Sequence, residues 1–122
     1  MRSILTKNLK ICYLCGSTED VDRHHCFHGE KGRKLATQYH LVVGLCYECH
    51  RGPHGVHNKK YGYDKDIILK SDAQLAWEVK KMKEKNLNPE QARQAWLDIF
   101  DIDYIEEYNR YINSRRMQCI DD

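Results

Sequence analysis

The chain of 122 residues has no apolar run approaching the roughly 20 residues that cross a bilayer. Its start, Met1 to Lys10, lacks the apolar stretch of a secretory signal. Neither a membrane protein nor an exported one is therefore expected. Low-complexity tracts are missing, and so are internal repeats beyond one paired cysteine motif. A large excess of one charge is missing too: the net charge is +2, with 31% charged and 41% hydrophobic residues. That is the make-up of a soluble globular chain with a modest core, expected as one domain with a helical appendage. The small net charge hides an asymmetry. Residues 1–63 carry ten basic and five acidic side chains, whereas residues 64–122 carry ten and thirteen. A basic first half favours a polyanion such as nucleic acid, though only as a supporting argument.

What is present is concentrated. Five of the six cysteines lie between positions 12 and 49, and all seven histidines between 24 and 57. The cysteines form two C-x-x-C pairs, Cys12/Cys15 and Cys46/Cys49, with Cys26 and Cys119 left over as free thiols. Without an export signal, two such pairs point to a metal and not to disulfides. Thiolate is among the best ligands of tetrahedral zinc, and two intervening residues let both sulfurs of a pair reach one ion from a single turn. The 30 residues between the pairs are enough for a hairpin closed at its base by the ion. A small core gains stability from such a closure.

Along the chain, residues 1–11 read as a lead-in with one strand. Cys12 to Gly16 reads as a zinc knuckle whose glycine supplies the turn conformation. Val21 to His28 reads as extended, Gly29 to Lys34 as a polar loop, and Tyr39 to Leu45 as a second, β-branched strand. Cys46 to Arg51 opens the second knuckle and a helix, which Gly52, Pro53 and Gly55 interrupt. Beyond residue 64 the pattern turns helical. Ser71 or Asp72 is expected to cap a helix with Leu75, Val79 and Met82 on its apolar face. Asn88–Pro89 is expected to start another, with Ala92, Ala95, Trp96, Ile99 and Phe100 inward. A last segment aligns Tyr104, Ile105, Tyr108, Tyr111 and Ile112. These stripes read as core, and Lys80, Lys81, Lys83 and Lys85 as a solvated face.

If four cysteines take one zinc, the histidines need another explanation. His24 and His25 are neighbours on an expected strand, so one side chain can bind metal while the other faces a substrate. His50 directly follows Cys49, and His54 and His57 lie one short loop further on. Two or three neutral imidazoles from these segments can hold a divalent ion, and imidazole suits Ni²⁺ or Zn²⁺ better than Mg²⁺, with Mn²⁺ between.

The runs RHHCFHG (23–29) and LCYECHRGPHGVH (45–57) resemble the HNH endonucleases, also called ββα-metal or His-Me finger nucleases. More narrowly they are similar to small phage- and prophage-encoded members that bracket the motif with two C-x-x-C pairs. The resemblance covers residues 12–70. It implies an α+β fold: a ββα-metal core over residues 1–70, closed by the four-cysteine structural zinc, then a helical carboxyl-terminal extension over 71–122. It implies His25 as general base and His24, His50 and His57 as ligands of one catalytic divalent cation (Mg²⁺, Mn²⁺, Ni²⁺ or Zn²⁺). His54, four residues after His50, is the alternative to His57, although Pro53 and Gly55 argue against the regular helix it needs. The implied activity is metal-dependent DNA hydrolysis leaving 5′-phosphate and 3′-hydroxyl ends, in the cytoplasm of a bacterial host. An Asn common in that family before the second knuckle has no counterpart in Tyr39–Val43. Arg23, Lys31, Arg33, Lys34, Arg51, Lys59 and Lys60 flank the motifs and are candidate phosphate contacts. The alternative is a non-catalytic, zinc-dependent nucleic-acid-binding module, which leaves the ordered histidines without a cause. A zinc deaminase lacks its Pro-Cys-x-x-Cys here, and a thiol redox protein lacks its βαβ surroundings.

Overall fold

A computed structural model describes the backbone of residues 2–120 and the side chains through Arg115; Cys119 lies outside the described side chains. The elements in order are β1 (Asp22–His25), α1 (Gly29–Gln38), β2 (Val42–Leu45), α2 (Tyr47–His50), α3 (Tyr63–Lys85), α4 (Pro89–Phe100) and α5 (Tyr104–Ile120). Helices dominate and the sheet has two strands, an α+β arrangement with a four-cysteine cluster able to hold a metal. Among the described residues no helix is long and apolar enough to cross a membrane.

The two strands pair antiparallel, with His24 opposite Val43 and His25 opposite Val42. β2 is buried along its whole length, and β1 buries His24 while exposing Asp22 and Arg23. Both strands are shorter than the sequence suggests. No strand forms among residues 2–11 either: this lead-in packs beside β2 as irregular chain, with Ile4 N–H donating to His40 O and Ser3 Oγ to Val42 O.

The largest correction in this half concerns Gly29–Lys34, which is the first half of helix α1 and not a loop. Gly32 is what misleads. A Cβ there would come within 3.1 Å of the Phe27 carbonyl carbon, so this glycine serves close packing and not a turn. Ala36 on the same helix is fully buried, and a Glu30–Lys34 pair spans one turn on the outside. His40, in the left-handed region at φ 60°, ends the helix, and Leu41 N–H returns to Ala36 O at 2.8 Å.

The helix expected to begin at Ser71 or Asp72 begins instead at Tyr63 and runs unbroken through residues 70 and 71. Its phase differs from the expected one. Ile67, Leu69, Ala73 and Trp77 are buried, whereas Leu75 is 53% exposed. Gln74 and Glu78 share the buried side because α4 and α5 supply their partners. Arg93 Nε donates to Glu78 Oε2 and its Nη1 to Asp103 Oδ2, both at 2.8 Å, while Gln74 Oε1 accepts the Tyr104 N–H at the start of α5. A buried carboxylate is tolerable only when paired in this way.

The expected start at Asn88–Pro89 is borne out. Asn88 Oδ1 accepts Gln91 N–H at 2.8 Å and Gln91 Oε1 accepts Asn88 N–H at 2.9 Å, a reciprocal capping box. Trp96 is fully buried, stacks on Phe100 with ring centroids 3.7 Å apart, and donates its indole N–H to Ile102 O. Phe27 contacts Trp96, Phe100 and Tyr104. One hydrophobic core therefore joins the segment carrying the histidines to the aromatic helices.

Candidate metal centre

The four paired cysteines converge. Their sulfurs all lie within 4.8 Å of one another, and Cys15 Sγ stands 3.6 Å from Cys46 Sγ. The first knuckle closes through Gly16 N–H to Cys12 O at 2.9 Å, with Gly16 at φ +81° as the turn requires. The second is the start of α2, where Cys46 occupies the cap and its carbonyl accepts His50 N–H. Burial disfavours charge on Cys12, but N–H groups of Cys46, Cys15 and Leu14 outweigh it and bring the thiol down to about 6. Burial and the neighbouring thiols push Cys49 up. One thiolate is thus welcome here and four are not unless a cation joins them, the condition a structural zinc satisfies. Cys26 is a fully buried free thiol, as expected, and burial raises its pKa.

The histidines form a second cluster. One ring nitrogen each from His24, His50 and His57 can be chosen so that all three lie within 4.8 Å of one another. Ring centroids are 5.1 Å apart for His24–His50, 5.6 Å for His24–His57 and 4.8 Å for His50–His57. His24 is placed by β1 and His50 by α2. His57 returns to them because the loop after α2 folds back, with Val56 N–H on Cys49 O and His57 N–H on His50 O. His54 is exposed and packs against Tyr61 instead, outside the cluster.

His24 is 3% exposed, and its Nε2 is buried with no hydrogen-bond partner. Burial first, then the charges His28, His50 and His57 would carry, depress its pKa to about 3. Burial likewise depresses His50 and His57, reinforced by His57 and Arg51 for the former and by His28 and Arg51 for the latter. All three are neutral near pH 7, the form in which imidazole binds a metal. An unpartnered buried ring nitrogen among neutral imidazoles fits a divalent cation.

His25, half-buried, opens onto the same cleft of about 270 Å³ that His24, His28, His50 and His57 line. The alternation of the strand thus does not remove His25 from its neighbour's surroundings. Burial, then Arg33 and Arg23, lower its pKa, so it too is neutral and able to accept a proton. Arg23, Arg33 and Arg51 complete the cleft wall. Lys34 joins Arg33 in an adjoining hollow beside His25. Lys31 lies on the far side of His28 and pairs with Asp101 at 3.6 Å, and Lys59 and Lys60 are exposed on the loop after α2.

Two residues that sequence reasoning did not single out belong to this neighbourhood. His28 lies with its ring centroid 5.3 Å from His24 and 5.5 Å from His57. Its Nε2 is 3.1 Å from Asp66 Oδ1 on α3. Burial works against the Asp66 charge, but His28 and Lys70 hold the carboxyl below its ordinary range. The spacing His24-x-x-x-His28 was a signal; Asp66 carried none.

Compared with protein-family models, curated proteins and solved structures, the chain matches none.

Proposed function

We propose that the protein is a metal-dependent endonuclease of the HNH type, acting on DNA phosphodiester bonds. The observation that carries this reading is the meeting of three neutral imidazoles, one with an orphaned buried nitrogen, with a fourth accessible imidazole and three arginines in one cleft. His24, His50 and His57 would hold the cation, and Cys12, Cys15, Cys46 and Cys49 the structural zinc. A bound divalent ion supplies Lewis-acid stabilisation of charge on the phosphate and the departing 3′ oxygen.

The chain's own residues do the rest. His25, neutral near pH 7, accepts the proton of the attacking water. Its depressed pKa follows from burial and from Arg33 and Arg23, which keep it deprotonated while attracting the phosphate. Arg23, Arg33 and Arg51 position the backbone without reading its sequence. The expected products are 5′-phosphate and 3′-hydroxyl ends.

Nicking of supercoiled plasmid in a series of Mg²⁺, Mn²⁺, Ni²⁺ and Zn²⁺ tests the proposal, with EDTA as the stop. His25→Ala is expected to keep the fold and the zinc and to lose at least about a hundredfold in nicking rate, the usual worth of a general base. His54→Ala is expected to cut like the parent chain. Retarded DNA mobility with no cleavage in any metal would leave the non-catalytic zinc module as the better description.

A further inference from the structure

The tri-histidine cluster has a neighbour arranged like a fourth member. Two imidazoles bound to one ion at about 2.1 Å place their ring centroids about 4.5–5.5 Å apart, between octahedral and tetrahedral angles. The three expected ligands stand 4.8–5.6 Å from one another, and His28 stands 5.3 Å from His24 and 5.5 Å from His57. Its ring spacing to these two is that of a co-ligand, and one of its ring nitrogens also groups within 4.8 Å with ligand atoms of His24 and Asp66. His28 also has an orienting partner. The Nε2 edge meets Asp66 Oδ1 at 3.1 Å, and the other Asp66 oxygen is held by Lys70 at 2.9 Å. A carboxylate takes an N–H and no lone pair, so a neutral His28 carries its proton on Nε2. Its Nδ1 is then the nitrogen with a free lone pair. Carboxylate–histidine pairs that fix a tautomer in this way recur behind metal ligands.

We propose that His28 is a fourth protein ligand of the catalytic cation, presented through Nδ1 and positioned by Asp66 of α3. The proposal rests on the reading of His24, His50 and His57 as a cation site. It gives α3 a place in the centre, since the residue that orients His28 lies on that helix. It also bears on reactivity. Four imidazole ligands would add no negative charge beside the ion, which would supply its Lewis acidity to a phosphate.

The test is Co²⁺ binding to the full chain with zinc already in the cysteine cluster, read by visible absorption and calorimetry. The parent chain is expected to bind one Co²⁺ outside the cysteine cluster, and His50→Ala to weaken it strongly. Asp66→Asn is expected to lose about 10–100-fold in affinity, and His28→Ala at least tenfold, with helical circular dichroism and zinc content unchanged. In the parent chain, ¹⁵N spectra of the histidine rings are expected to show Nδ1 of His28 moving on Zn²⁺ addition, a readout that needs no variant. If His50→Ala loses the ion while His28→Ala and Asp66→Asn stay within twofold of the parent, the fourth ligand is overturned and the three-histidine site stands. If the parent chain takes up no second ion, both readings fall together.

Discussion

The segment carrying the cysteines and histidines and the segment carrying the long helices are built on different principles. Between Cys12 and Gly62 the regular elements are two strands of four residues and helices of ten and four. Such pieces are too short to stand alone in water. The polar side chains they bury, His24 and His50, are both imidazoles, whereas the helical segment buries Ser71, Gln74 and Glu78. From Tyr63 onward the helices run to 23, 12 and 17 residues and meet through Trp77, Trp96, Phe100 and Tyr104. Apolar area holds the second region. In the first, short elements feed Phe27, Leu41, Val43 and Leu45 into the same core, and two clusters of ligand atoms able to hold a metal lie beside it.

The sharpest way to break this contrast is to deprive the cysteine cluster of the zinc it is able to hold. A structural zinc contributes on the order of 10 kcal/mol to the folding of a small domain. Chelation, or Cys49→Ser, is expected to release the β1–β2 pair and disperse the histidines while most helical circular dichroism persists. Hydrogen exchange gives the measurement: the amides of Tyr13 and Cys26, bonded to Gly44 O and Leu41 O, should lose protection well before those of α3 and α4. Equal loss in both regions would mean that the zinc and the aromatic core form one cooperative unit.

The reverse perturbation is smaller. Trp96→Ala removes a fully buried ring, its stack on Phe100 and its hydrogen bond to Ile102 O. The expected cost is about 3–5 kcal/mol, read from urea unfolding. Well below the unfolding midpoint the variant should still carry one zinc per chain. Loss of zinc in a folded variant would show that Phe27, which touches Trp96, transmits strain into the cysteine cluster.

Legibility in the sequence divides along the same line. The cysteine pairs could be read because metal ligation demands particular atoms at particular spacings, whereas the set His24, His50 and His57 came from the resemblance to the HNH motif. His57, and not His54, lies beside His24 and His50 because Val56 and His57 bond back to Cys49 and His50, a fold-back that the Gly and Pro of the loop only hint at. Helix α1 was hidden because Gly32 looks the same in a sequence whether it turns the chain or admits Phe27. The phase of α3 was hidden because Gln74 and Glu78 read as outward residues, and what turns them inward, Arg93 and Asp103, lies 15 to 29 residues downstream. Asp66 was hidden because its meaning comes only from His28, across 38 positions. Spacing rules reach across a turn, but partners chosen by tertiary packing leave no local mark.

Asn88 provides the finest probe of the difference, because it touches neither core. Its side chain and that of Gln91 satisfy two N–H groups at an exposed helix start, with Pro89 removing the need for a third. Asn88→Ala is expected to cost about 1 kcal/mol, or about 4 °C in the midpoint of a chain this size. The loss should appear wholly in the helical region, since nothing in the cap reaches α1 or the cysteines. Zinc affinity and the Co²⁺ affinity of the histidine site should match the parent chain within error. A cap mutation that weakened either would mean that α4 holds its partners in register up to the metal centres. In that event the aromatic helices would be part of the machinery and not merely its support.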